Sequence, residues 1–149
     1  MEEFNTIEKV IELFKQRNYY GNENNIFVVY KDLQKSNGMV SGMEYPYEGL
    51  IINETEQYLA MIPLKQGGLV LTQSIKKMQI DRERELIIIP KENIISITIK
   101  NYALFNSSSK RISIKTRDNK NYLLYAKIDE KDLPYQKDNF TKFIESYKK

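Results

Sequence analysis

The stretch LIIIPKENIISITIK (residues 86–100) sets seven isoleucines within fifteen positions. It is shorter than the roughly 20 apolar residues that a helix needs to cross a bilayer, and Pro90, Lys91 and Glu92 interrupt it. Proline has no N–H for a β-ladder, so Pro90 ends a first strand and Asn93 precedes a second. In the second strand Ile95, Ile97 and Ile99 share one face, and Ser96, Thr98 and Lys100 share the other. Such alternation predicts one face in a core and one in water. Leu86–Ile89 is apolar on both sides, which predicts cover on both faces. The flanking charges Arg82–Glu85 and the central Pro-Lys-Glu act as gatekeepers against β-aggregation.

The same period of two runs through most of the chain from residue 57. QYLAMIPL, GLVLTQ, SIKKMQI, ELIIIP, NIISITIK, KRISIKTR and NYLLYAK are each of strand length and bounded by turn residues or charge. Asp118 and Asn119 mark a hairpin tip between the last two. The period then turns helical, with Phe140, Phe143, Ile144 and Tyr147 on one stripe and Asp138 as the expected cap. At the other end Phe4, Ile7, Val10, Ile11 and Phe14 predict a helix over 2–17. Ile26, Val29, Tyr30 and Leu33 predict a second helix, with a strand over IFVVY as the rival reading. The Gly-, Ser-, Met- and Pro-bearing stretch 37–49 reads as a linker.

The expected fold class is therefore α+β and mostly β. Residues 1–45 form an N-terminal helical extension, and residues 46–149 form a seven-stranded antiparallel barrel or sandwich with a C-terminal capping helix. This order resembles the pleckstrin-homology (PH) superfold, in particular the small bacterial PH-like domains related to GRAM domains. The resemblance rests on ETEQYLAMIPL (54–64), GGLVLT (67–72), IPKENIISI (89–97), RISIKTRDNKNYLLY (111–125) and NFTKFIESYKK (139–149). Many relatives carry an Arg soon after the Thr of the second strand, whereas Thr72 is followed by Gln73, Ser74, Ile75 and Lys76. The resemblance implies a binding scaffold rather than an enzyme.

Composition narrows the chemistry. With no Cys and no His, the 149 residues lack thiol nucleophiles, disulfides and the commonest general base and transition-metal ligand. RDNKN (117–121) and IDEKD (128–132) lack the spacing of a calcium loop, and GMVSG (38–42) lacks the Lys-Ser/Thr of a phosphate loop. No catalytic, metal or cofactor residues are expected. The acidic N-terminus MEEFNTIEKV does not read as a signal peptide, so a cytoplasmic protein is expected. A net charge of +3 without one clustered basic face argues against nucleic acid. The loop LKQGG (64–68) has a single Lys, which argues against a lipid headgroup.

Two surfaces are the candidates for contact. Lys100, Arg111, Lys115, Arg117 and Lys120 form a candidate anionic-partner face, whose bland reading is the solvated side of a sheet. Met39, Met43, Tyr45 and Tyr47 form a candidate protein-contact segment, whose bland reading is burial against the barrel. The expected function is a non-enzymatic module working through protein–protein contacts, with itself or another chain. The alternatives are an immunity or inhibitor protein of a toxin or phage system, and peripheral membrane binding through the basic strand face.

Overall fold

The computed structural model describes residues 1–32, 47–66, 73–104 and 106–148. The strands are β1 (Ile26–Lys31), β2 (Gly49–Glu54), β3 (Tyr58–Gln66), β4 (Met78–Ile80), β5 (Ile87–Pro90), β6 (Ile94–Ala103), β7 (Asn106–Thr116) and β8 (Asn121–Lys127). The α-helices are α1 (Ile7–Lys15) and α2 (Gln136–Ser146). All eight strands lie in one antiparallel sheet of order β4-β3-β2-β1-β8-β7-β6. Strand β5 joins the same outer edge of β3 that β4 uses further along. Among the described residues the sheet does not close into a barrel.

The helix expected from Ile26 is β1, a central strand between β2 and β8. Its apolar residues face two cores rather than one: Ile26, Val28 and Tyr30 pack on one side, Phe27 and Val29 on the other. A strand covered on both faces reads as a continuous apolar run, and short runs of that kind mimic a buried helix. Strand β2 starts at Gly49, the last residue of the stretch read as a linker, and ends before residue 57, where the strands were expected to begin. Its Gly49 sits where a Cβ would come within 2.8 Å of the Val29 carbonyl and 2.9 Å of the Met78 sulfur, so close backbone approach favours glycine there. The boundary expected after residue 45 falls between β1 and β2, which pair from Ile26↔Asn53 to Tyr30↔Gly49. GGLVLT lies outside the described residues, and SIKKMQI supplies only the three-residue β4 after a 3₁₀ turn.

The expected N-terminal helix is shorter than 2–17. A 3₁₀ turn covers Glu2–Phe4, and α1 starts after Thr6, whose hydroxyl accepts from the Lys9 N–H at 3.3 Å. Phe4, Val10, Leu13 and Phe14 cover the outer side of β1–β3, against Ile51, Ile62 and Leu64. The inner sides of β1–β3, β5 and β6–β8 meet α2 in a second apolar cluster. There the Phe27 ring lies 5.1 Å from Phe140 and 4.6 Å from Phe143.

Helix α2 also mends a gap in the sheet. Strands β1 and β8 pair only at Tyr30↔Tyr125 and Lys31↔Leu124. Beyond that point β1 would show bare backbone to a core, at a cost for every unmet polar group. Gln136 fills the role of the missing strand, accepting from Val28 N–H at 2.8 Å and donating to Val28 C=O at 2.9 Å. Its amide nitrogen also donates to Lys127 C=O at 3.0 Å. Asn139 donates to Ile26 C=O at 3.0 Å and Glu23 C=O at 3.1 Å. Asp138 is a first-turn residue of α2 rather than its cap, which is Tyr135.

Candidate interaction cleft

Strand β6 occupies the far end of the sheet. One edge pairs with β7 from Ile94↔Thr116 to Ala103↔Asn106. Among the described residues no strand pairs with its other edge. Along that edge runs a cleft of about 640 Å³, walled on the opposite side by α2 and the residues that follow it. Ile97 and Ile99 of β6, Ile128 after β8, and Ile144 and Tyr147 of the helical wall line it with apolar surface. Lys100, Asn101, Lys110, Glu145 and Lys148 supply its polar lining.

Sequence alternation placed Ile95, Ile97 and Ile99 on one buried face. The structure separates them. Ile97 and Ile99 are half-buried against the inner cluster, whereas Ile95 sits at an irregularity between Ile94 and Ser96 and is 61% exposed. A bulge adds a residue and breaks the period of two at that point. The preceding segment is also less covered than expected: Ile89 is buried and Leu86 packs on the outer cluster, but Ile88 stays 47% exposed.

The five expected basic residues do not form one free face. Arg111 is committed internally. Its Nε lies 2.6 Å from Oδ2 of Asp32, whose side chain is fully buried, and its guanidinium stands 4.8 Å over the Tyr102 ring. The Tyr102 and Tyr30 rings both flank Tyr125 at 5.0 Å, and burial lifts the Tyr125 hydroxyl to about 12. Burial also raises the Tyr30 hydroxyl, which donates to Glu130 at 2.7 Å. Arg117 is tied to the turn before β6, its Nε donating to Glu92 C=O at 2.9 Å. Lys120 lies 3.9 Å from Asp118 at the hairpin tip, where Asn119 takes the left-handed conformation at φ 65°. Lys100 and Lys115 are exposed, and neither has a carboxylate within 4.0 Å among the described residues.

Of the contact segment, Met39, Met43 and Tyr45 lie outside the described residues. Tyr47 is buried in the inner cluster, as its bland reading had it. Two lysines outside the five-residue candidate face, Lys110 and Lys148, line the cleft together with Lys100. Lys110 donates to Asn101 Oδ1 at 2.6 Å, across the β6–β7 pair that joins the two residues. The two-residue periodicity of RISIKTR, extended back by one position, already places Lys110 on the side of Ile112 and Ile114. The helical wall and its distance from β6 had no local signal.

A second hollow, lined by Arg17, Arg82 and Arg84, is answered from within. Arg82 meets Glu3 at 2.5 Å, Arg84 lies 3.9 Å from Asp81, and Arg17 donates to Leu13 C=O at 2.8 Å. Among the described residues no group of three acidic side chains is placed to hold a metal ion, and no helix is long and apolar enough to cross a membrane. No protein-family model matches the chain, and neither a curated protein nor a solved structure is measurably similar to it.

Proposed function

We propose that this protein is a PH-like binding module that takes up an extended, acidic segment of a partner protein as an added strand on β6. The observation that carries the reading is the unpaired β6 edge running along a cleft with half-exposed isoleucines. An edge strand offers a row of backbone donors and acceptors to an incoming strand, and side-chain pockets beside it select the sequence. Alternate apolar residues of the partner would meet Ile97, Ile99 and Ile144. The strand order, with a C-terminal helix packed on the sheet, supports the PH-like part of the reading.

Charge argues for an acidic partner over a second copy. In an antiparallel β6–β6 pair centred on Thr98, Lys100 would face Ser96 of the other copy, and Ser96 is already flanked by Lys115 on β7. Like charges at adjoining strand positions destabilise pairing. Carboxylates that alternate with the partner's apolar residues would instead meet Lys100 on the opposite side of β6, while Lys110 and Lys148 edge the isoleucine side, where Glu145 is the single acidic residue in the cleft wall.

Fluorescence anisotropy with a labelled, capped peptide of alternating Glu and Val tests this, with the Lys–Val peptide as its counterpart. Saturable binding of the acidic peptide, weakened by Lys100→Glu and Lys148→Glu together, is the expected result. Equal binding of both peptides, or binding indifferent to the double charge reversal, would refute the reading.

A further inference from the structure

Both walls of the cleft are tied to one buried carboxylate. Glu54 ends β2 and is 7% exposed. It accepts a short hydrogen bond from the Tyr147 hydroxyl, at the C-terminal end of α2. The same carboxylate oxygen lies 3.0 Å from the Lys91 ammonium. Lys91 opens the 3₁₀ turn Lys91–Asn93, which leads directly into β6. That turn is also held by the Lys91 N–H donating to Gln57 C=O at 2.8 Å, and by Arg117 donating to the Glu92 and Asn93 carbonyls. Tyr147 is itself a lining residue of the cleft, 4.8 Å from the Phe143 ring that anchors α2 in the core.

We infer that Glu54 is a positioning residue that sets the aperture of the cleft, pinning the helical wall through Tyr147 and the strand wall through Lys91. The inference rests on the strand-addition reading for its consequence, but the pin is a statement about the free protein. A charged acceptor binds its donors about twice as strongly as a neutral one, and at a nearly buried site the contact is little screened by water. Each wall is also anchored away from Glu54: α2 by Phe140 and Phe143, β6 by its ladder to β7. Losing the pin therefore frees the end of the cleft without unfolding the chain.

The absence of cysteine makes the test direct, because any introduced Cys is the sole labelling site of its kind. Spin labels at Lys100→Cys and Thr141→Cys, exposed residues on opposite walls, report the aperture as a distance distribution, and peptide affinity is read separately in the unlabelled protein, which keeps Lys100. The unaltered site should give one narrow distribution. Tyr147→Phe, which deletes a single oxygen, should broaden it and weaken the acidic peptide by about tenfold. Glu54→Ala should broaden it similarly, and adding Tyr147→Phe to Glu54→Ala should then change little, as expected for groups in one contact. A narrow distribution in Tyr147→Phe would overturn the inference, as would a broadened one with unchanged peptide affinity. A broadened distribution in a protein that never binds the acidic peptide would sink the strand-addition reading and leave the pin standing.

Discussion

Two isoleucine-rich regions of this molecule are built from similar residues and used in opposite ways. In β2 and β3, Ile51, Ile52 and Ile62 are fully buried, because α1 covers one side of these strands and α2 with β6–β8 covers the other. In β6, Ile97 and Ile99 are only half-covered, Ile95 is largely bare, and one edge of the strand has no partner. The first region spends its apolar surface on stability. The second leaves part of that surface beside a cleft, where only an added chain could bury it. Isoleucine content alone does not separate the two; the layers packed on each strand do.

Substitutions can break this contrast, and the largest effect belongs to the doubly covered region. Phe27→Ala removes the ring between Phe140 and Phe143 and should cost about 3–5 kcal/mol in denaturant unfolding. A loss below about 1 kcal/mol would mean that α2 is not packed there as described. Gln136→Leu comes next. It keeps the volume but strips Val28 of both backbone partners and Lys127 of one, for about 2–4 kcal/mol. Slow amide exchange at Val28 should be lost with it, and retention of that protection would contradict the bridging role of the side chain.

Alkaline pH should act on tyrosines packed into both clusters. Burial first of all raises the hydroxyls of Tyr30, Tyr125, Tyr135 and Tyr147, Tyr125 to about 12. Unfolded tyrosine ionises near 10, so the neutral folded form contributes stability in full below about pH 10. That stability is lost as pH rises from about 10 toward the folded values. Tyrosinate absorbance from these residues should therefore grow in step with unfolding, whereas early titration in a still-folded chain would show that they are accessible. The smallest effect belongs to β6. Ile97→Thr should move stability by about 0.5 kcal/mol or less, yet weaken the acidic peptide severalfold. A large loss of stability would place Ile97 with the covered isoleucines instead.

Legibility in the sequence followed the same division. Half-buried strands announced themselves: the alternation in NIISITIK and KRISIKTR predicted β6 and β7, and Asp118–Asn119 predicted their neighbour's turn. The doubly covered strand did not, because IFVVY satisfies helical spacing and strand propensity at once, and only tertiary cover decides between them. Strand β2 was hidden by the Gly- and Pro-bearing stretch in front of it. Arg111 looked like a free outer cation because its partner, Asp32, lies seventy-nine positions earlier. The cleft shared this difficulty. Ile97, Ile99 and Lys100 were visible as a strand, and Ile144 and Tyr147 as a helix, but nothing local says that the two stand side by side.

Hydrogen exchange of the β6 amides, measured with and without the capped Glu–Val peptide, tests the central claim most directly. Strand addition predicts that the amides on the free edge between Ile97 and Asn101 slow markedly when peptide is bound, while those already bonded to β7 change little. Bound peptide with unchanged exchange along β6, or with new protection elsewhere on the sheet, would contradict it.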